Sequence, residues 1–514
     1  MNHPAPPSPF ARFLSKFTML RTAPRELWII YGAYVLENIA YKLSAAAVLA
    51  LWLTYDLGYT DKATGTTIGI WSAMLTLVTV LIGSLTDAVG IKKTFMLGFW
   101  ICLISRIVMT VTTTHWQALT FGLYLQAVGL ALMTPVMTAA MKRYSTAAQR
   151  SVAFSLYYAL MNLGYAIGDR LFDHFRHVLG EHGHWVMPWV GETLSTYRVM
   201  FLWSVVFTVP GLLMTWFFMR DGVEMTEDGL RIAPKKQNQF PGRNPLAAAA
   251  LTCRETAKET GRIFASLWGH ASFYRFLTFM TFIVGVRMVF YHLSYTFPKF
   301  GIRELGEGAP IAQISSMLNS VLCLAFVPIC GVLTQKVSAY RMVTFGSLIS
   351  ALSVFLLAMP PALFQPIADG WFGDLIVHRW LGVAGPVNPL YIAIFLFTVG
   401  LSIGEAFWSP RMYEYAAAIA PNGKEASYLA LSMLPYFAAK FGAGMLSGWL
   451  LQTYCPATGA RNSTFLWLIV GVVALITPVG TFLFRKQIQV QESGREPAVT
   501  KIEAAAKEDE TLHE

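Results

Sequence analysis

This sequence predicts an all-α integral membrane protein, with about twelve transmembrane helices in two six-helix bundles. Three observations carry that prediction. The 514 residues are 55% apolar and 13% charged, so no soluble core could hide the apolar surface and the solvent must be lipid. The apolar residues fall into about twelve runs long enough to cross a bilayer. A connector between two such runs also comes back later in the chain. Gly83-Ser-Leu-Thr-Asp87-Ala-Val-Gly90-Ile-Lys92-Lys93 is answered by Gly331-Val-Leu-Thr334-Gln335-Lys336-Val337-Ser338-Ala339-Tyr340-Arg341. A chain that repeats its own helix-turn-helix connector reads as two homologous halves.

Residues 1–25 hold Arg12, Lys16, Arg21 and several prolines, with no long apolar stretch ending in a cleavage site. They read as a cytoplasmic lead and not as a signal peptide. Spans are expected near 26–53, 65–87, 93–113, 117–141, 150–175 and 196–219, an N-terminal bundle over 26–219. A second set near 271–299, 311–334, 340–361, 390–418, 425–453 and 463–485 makes a C-terminal bundle over 271–486. An even number of spans puts both termini on one side. The short loops there carry Lys92, Lys93, Lys142, Arg143, Arg150, Arg220, Lys336, Arg341, Arg485 and Lys486, whereas the opposite loops mix signs. That basic excess places both termini in the cytoplasm, and the expected home is a bacterial inner (plasma) membrane.

Residues 220–270 form the only long polar break between spans. They read as a loop over 221–245, then an amphipathic helix on the cytoplasmic surface tethering the halves. Leu246, Ala250, Cys253, Ala257, Gly261, Phe264 and Trp268 share one face, and Arg254, Lys258 and Arg262 line another. On the other side, 176–195 reads as a solvated loop and 362–389 as a segment that partly re-enters the membrane. The tail, 487–514, is polar and reads as disordered.

The first connector has a physical reading as a gating element. Gly83 lets a helix approach a neighbour closely, and Gly90 can take the positive φ of a tight reversal. Asp87 can accept from free amides at a helix N-terminus, and Lys92 and Lys93 hold the turn on the cytoplasmic side. Thr134-Pro135 and Ser409-Pro410 fall at corresponding places in the fourth and tenth spans, where Pro135 and Pro410 open the backbone ladder and permit a bend.

Charges at membrane depth are costly and tend to face a cavity or a partner. The candidates are Glu37, Lys42, Arg106, Arg287, Glu405 and Lys440. Glu37 and Glu405 are the candidate proton-coupling groups, since a carboxylate at such depth can load and release a proton. For each charge the bland alternative is a structural ion pair or an end residue reaching for the interface. Asn38 and Asn162 either bind a solute or bridge helices. Tyr31, Tyr34, Tyr41, Tyr157 and Tyr158 pack by default.

Other classes find little support. The five cysteines are scattered and the histidines lack metal-ligand spacing, so no metal and no cofactor is expected. No basic run is interleaved with aromatics, so nucleic acid is not a partner; the net charge of +10 suits anionic lipid. No cluster of His, Asp or Cys suggests an enzyme, and no Gly-rich phosphate cradle suggests ATP-driven transport.

The connector resembles the loop between the second and third helices of the major facilitator superfamily, Gly-x-x-x-Asp-(Arg/Lys)-x-Gly-(Arg/Lys)-(Arg/Lys). Here Ala88 replaces the first basic residue and Ile91 falls between Gly90 and the lysines. Three further segments resemble one branch, the proton-coupled oligopeptide transporters. Glu37-Asn-Ile-Ala-Tyr41 is similar to that family's first helix, and Phe154-Ser-Leu-Tyr157-Tyr158-Ala-Leu-Met-Asn162-Leu-Gly164 to its fifth. Gly404-Glu405-Ala-Phe-Trp-Ser409-Pro410 is similar to its tenth. The resemblance implies Glu37 as a proton-coupling glutamate and Glu405 as a ligand for a substrate amino group. It places Asn162 and Tyr41 in the binding cavity. The family's first coupling glutamate and its arginine are Tyr34 and Asn38 here. Its substrate-carboxylate ligands are Thr134 and Ala45, leaving Lys42, Arg106 or Arg287 as replacements.

The function this implies is a secondary active transporter working by alternating access. It would be a monomer that symports protons with a small peptide-like or amino-group-bearing solute, using a binding set of Tyr41, Lys42, Asn162, Arg287 and Glu405. The alternative is a facilitator-type efflux pump, or an importer of another small metabolite or drug.

Overall fold

The computed structural model describes residues 19–45, 47–188, 191–226, 229–232, 271–334, 337–419 and 433–488, with a few helical positions between 251 and 265. Twelve helices cross the apolar layer. In the first half α1 is Arg25–Ser44 continued by Ala47–Tyr55, α2 is Asp61–Val89 and α3 is Ile91–Val111. Next, α4 runs from His115–Gln117 through a wide turn into Leu125–Arg143, α5 is Ala147–Leu179 and α6 is Thr196–Phe218. The second half repeats the pattern: α7 Ala271–Tyr295, α8 Leu318–Leu333 with a wide first turn Gln313–Met317, and α9 Ala339–Val354. It ends with α10 Pro389–Ile419, α11 Met433–Tyr454 and α12 Ser463–Leu483. Nine of these are apolar and long enough to span by length and composition. The other three are α5, α9 and α11. α5 carries Asp169, Arg170, Asp173 and Arg176 along one stretch, α9 is short, and α11 holds Lys440.

Two expected continuous spans are interrupted. α1 breaks at Ala45, whose backbone is extended. The Ser44 carbonyl left over by the break accepts from the Gln126 amide at 3.2 Å. The expected span 271–299 ends at Tyr295, and Phe297–Leu305 starts afresh with Pro298 in its first turn. Proline has no N–H to continue the ladder, so the new axis begins there.

The loops also differ from expectation. The stretch 176–195 is not plain loop: α5 runs on to Leu179, and β1 (His184–Val186) pairs antiparallel with β2 (Thr193–Ser195). Glu181 anchors it, buried and accepting from Arg176 and from the Tyr197 hydroxyl at 2.6 Å. In the linker, Val223–Thr226 (β3) and Gly229–Ile232 (β4) form a hairpin where a loop was expected. Arg254, Lys258 and Arg262 are helical and exposed, while the apolar face assigned to that helix lies outside the described residues. The segment 361–380 folds as short helical turns that bury Phe364, Ala368, Ile376 and Val377, with Trp371 outside.

Among the described residues, the halves meet closely at the end away from the chain termini. There α2 crosses α11 with backbone against backbone. A Cβ on Gly65 would lie 2.3 Å from the Gly444 carbonyl oxygen, and one on Gly448 would lie 2.5 Å from that of Asp61. Gly65-x-x-x-Gly69 thus faces Gly444-x-x-x-Gly448, the small-residue spacing that lets membrane helices touch. The same end is latched by charge. Asp61 accepts from Lys299 at 2.8 Å and from Arg303 at 2.9 and 2.8 Å, across the halves. Asp173 on α5 accepts from the backbone N–H groups of Ala312 at 3.3 Å and Gln313 at 2.6 Å, capping the start of α8. Between Phe172, Phe297 and Ser316 the residual void is about 10 Å³, no more than one water's worth.

Gly444→Ala is therefore expected to cost about 1–3 kcal/mol by overpacking, read as a lowered melting temperature in detergent. Gly442→Ala, two residues away with nothing within 4 Å of its Cβ, serves as the control and should melt like the wild type. Equal behaviour of the two variants would contradict the close crossing.

Candidate functional site

Among the described residues, three clusters hold the candidate site residues at membrane depth. The first is internal to the N-terminal half. Arg106 on α3 donates to both Glu37 oxygens, at 2.9 and 2.5 Å, to Ser44 Oγ at 3.1 Å and to Thr208. Arg106 is fully buried and Glu37 nearly so. Glu37 thus meets a fixed bidentate partner in its own half rather than standing at a hollow shared with the other.

The second cluster bridges the halves. Lys42, one turn along α1 from Asn38, reaches α5, where its ammonium donates to Asp169 at 3.0 Å and lies 4.9 Å from the Tyr165 ring centre. Ser316 of the second half donates to the same Asp169 oxygen at 2.6 Å and accepts from Lys42 at 3.3 Å. Around it stand aromatic rings: Tyr41 beside Tyr165, and Tyr34 stacked on Tyr157 at 4.6 Å with a hydroxyl contact of 2.8 Å. Asn38 and Asn162 are buried, and each donates to a carbonyl one turn back, Tyr34 and Tyr158 respectively. Neither amide nitrogen bridges two helices.

The third cluster belongs mainly to the C-terminal half. Glu405 on α10 accepts from the Asn319 amide at 3.0 Å and the Cys323 thiol at 3.3 Å, both from α8. Arg287 on α7 lies within electrostatic reach of Glu405, its guanidinium 4.8 Å from the Trp408 ring and 5.7 Å from that of Tyr436. Tyr158 of the first half lies close to Cys323 and in the field of Glu405. On α11, Lys440 donates to Thr76 Oγ1 of α2 at 2.9 Å, again across the seam.

The structure therefore brings Asn162's helix, through Tyr158, to Glu405 and Arg287, and sets Lys42 and Tyr41 against α5. It holds Glu37 apart with Arg106. Of the gating residues, Gly90 has φ +99°, the reversal geometry expected of it. Lys92 donates to the Met219 carbonyl at 2.6 Å, closing the end of α6, and Lys93 is exposed. Pro410 sits inside a helix that runs on to Ile419. Gly83, Asp87 and Pro135 are helical, and their side chains lie outside the described residues. Among the described residues no group of three or more His, Cys, Asp or Glu converges as a metal site.

Sequence reasoning passed over Asp169, Asp173, Asn319 and Thr76. Asp169 had a visible signal, a charge in an otherwise apolar span. Asn319 and Thr76 had none, because a neutral polar residue in a span gains meaning only from what it faces.

Replacing Glu37 by Gln leaves Arg106 buried without its carboxylate, which is expected to cost about 3–5 kcal/mol. The double variant Glu37→Leu/Arg106→Leu removes both charges and should recover most of the loss. Thermal unfolding of the purified variants measures both, and a stable single variant would show that the pair is not coupled.

Comparisons with known proteins bear on the family and the fold. The family model described as Major Facilitator Superfamily matches residues 30–377. No curated protein matches the sequence. Among solved structures, the chain is similar to a POT family transporter in complex with 5-aminolevulinic acid, at 16% identity. That match covers 91% of this chain and 97% of the other, with a TM-score of 0.62. It is also similar to a peptide transporter of the POT family carrying a Glu-to-Gln mutation, at 15% identity, 92% and 98% coverage and a TM-score of 0.63. A third is a bacterial homologue of the human drug peptide transporters PepT1 and PepT2, at 17% identity, 90% and 99% coverage and a TM-score of 0.61. At such identity the likeness establishes the fold.

Proposed function

The chain belongs to the major facilitator superfamily, whose members are transporters and not enzymes, and from that premise we propose a proton-coupled symporter of small peptide-like or amino-group-bearing solutes, working by alternating access. The bundles are the units 26–219 and 271–486, joined by the linker 220–270, with 1–25 and 487–514 as peripheral segments. The protein works as a monomer in a bacterial inner membrane with both termini cytoplasmic, as the basic loops on that side suggest.

The observation that carries this reading is Glu405. It is a buried carboxylate held by two neutral donors, beside Arg287 and facing Tyr158 of the opposite half. A carboxylate in that setting can exchange a proton for contact with a cationic amino group. Either event changes the charge at the seam and so biases which end is closed. Glu37, tied to Arg106, acts in the coupling through the packing of α1 against α3. Lys42, with Asp169 and Ser316, favours the arrangement in which the far end is shut. Tyr41, Asn162 and Arg287 complete the wall that a solute would meet.

The alternative is export or import of another small organic metabolite. It draws on one fact: the positions the peptide-transporter resemblance assigns to substrate carboxylate are Ala45 and Thr134.

Uptake into proteoliposomes tests the proposal. An imposed inward proton gradient should drive accumulation of a dipeptide or 5-aminolevulinate. Glu405→Gln should abolish the gradient's effect and weaken binding of amino-bearing solutes by roughly tenfold or more, the worth of one charge-assisted contact. Uptake indifferent to pH, or a Glu405→Gln protein with unchanged affinity, would remove the assignment.

A further inference from the structure

Among the described residues, most charges at membrane depth pair off. Glu37 is matched by Arg106 and Lys42 by Asp169. Arg287 has Glu405 within reach. Lys440 is the remainder. Among the described residues its hydrogen-bond partner is a neutral hydroxyl, Thr76 Oγ1, and the one charge acting on it is another cation, Arg287.

The local chemistry sharpens the anomaly. Thr76 spends its own proton on the Ser72 carbonyl at 2.9 Å, so its oxygen can only accept from Lys440. An ammonium has three donors, and this contact uses one. Lys440 lies in the first half of α11, and its amine crosses to α2 of the other half rather than reaching along its own helix for an interface. The residue is only partly buried, which leaves part of it free to meet a ligand. An ammonium at this depth with a cation acting on it is costly unless an anion arrives to complete it.

We infer that Lys440, held at the seam by Thr76, binds a carboxylate group of the transported solute. This inference rests on the transport reading above and deepens it by assigning the anionic pole of the substrate. Glu405 on α10 and Lys440 on α11 then form the two poles for a zwitterion, both in the C-terminal half. The carboxylate is taken from the second half while Ala45 and Thr134 stand at the first-half positions. Lys42 and Arg106 are already committed to Asp169 and Glu37, so neither is spare for the role.

The test uses purified full-length protein and matched probes: dialanine, 5-aminolevulinate and hexanoate, each against its neutral primary amide. Wild type should melt at higher temperature with the carboxylates and respond little to the amides. Lys440→Gln should lose that preference, with at least roughly a tenfold fall in affinity for the best acid. Without ligand it should melt no lower than wild type, because a costly buried charge is gone. Lys440→Arg should keep the preference, and Lys440→Met must behave like Lys440→Gln. The inference is overturned if either neutral variant still prefers acids, if amides stabilise wild type as well as acids do, or if no carboxylate shifts wild type at millimolar concentration. Gradient-driven uptake that keeps its acid-over-amide preference in Lys440→Gln overturns this inference and spares the transport reading. Absence of any gradient-driven uptake overturns the transport reading instead.

Discussion

A charge placed in hydrocarbon must find a counter-charge or a water-reachable surface, and the organisation of this molecule follows from that constraint. The N-terminal half satisfies it internally, with Arg106 spread over both Glu37 oxygens, Ser44 and Thr208. Such a pair is expensive to break, because removing either partner strands a buried charge. The Lys42–Asp169 pair differs in one respect: Ser316 of the opposite half joins it, so its full satisfaction depends on the two halves being together.

The seam between the halves combines two kinds of contact. At the far end the glycine faces of α2 and α11 touch through backbone atoms, which carry no rotamer entropy to lose and no interlocking side chains to unlock. The polar contacts there, Asp61 with Lys299 and Arg303, and Asp173 with the start of α8, join groups that water can also solvate. Contacts of this kind exchange protein partners for solvent at modest net cost. Interlocked aromatics such as Phe300 against Trp467 instead stay within one half, where nothing must come apart.

Site chemistry then concentrates where the halves meet in the middle of the layer. Glu405, Arg287 and Lys440 come from three helices of the second half, while Tyr158 and Thr76 come from two helices of the first. Any change of charge in this set is felt by both bodies at once. That is the physical requirement for coupling a bound ion or solute to the relative position of the halves.

Much of this was legible in the residues themselves. Composition and run lengths are enough for the class and for about twelve helices, because lipid admits only helices and closed barrels and the apolar runs have helix length. The repeated connector is enough for two halves, and Gly90 does take the positive φ its turn requires. The charges at depth were identifiable because they are rare. Their partners were not: Arg106 finds Glu37 69 positions away, and Lys440 finds Thr76 364 positions away. A residue's cost in lipid is a local property and can be read from the chain. Its relief depends on which helix lies alongside, and only the tertiary packing decides that. So the sequence by itself determined the membrane class, the helix count, the duplicated halves and the residues carrying charge. The tertiary structure decided that Glu37 is spoken for, that Lys42 bridges the halves, and that Lys440 is left facing the seam.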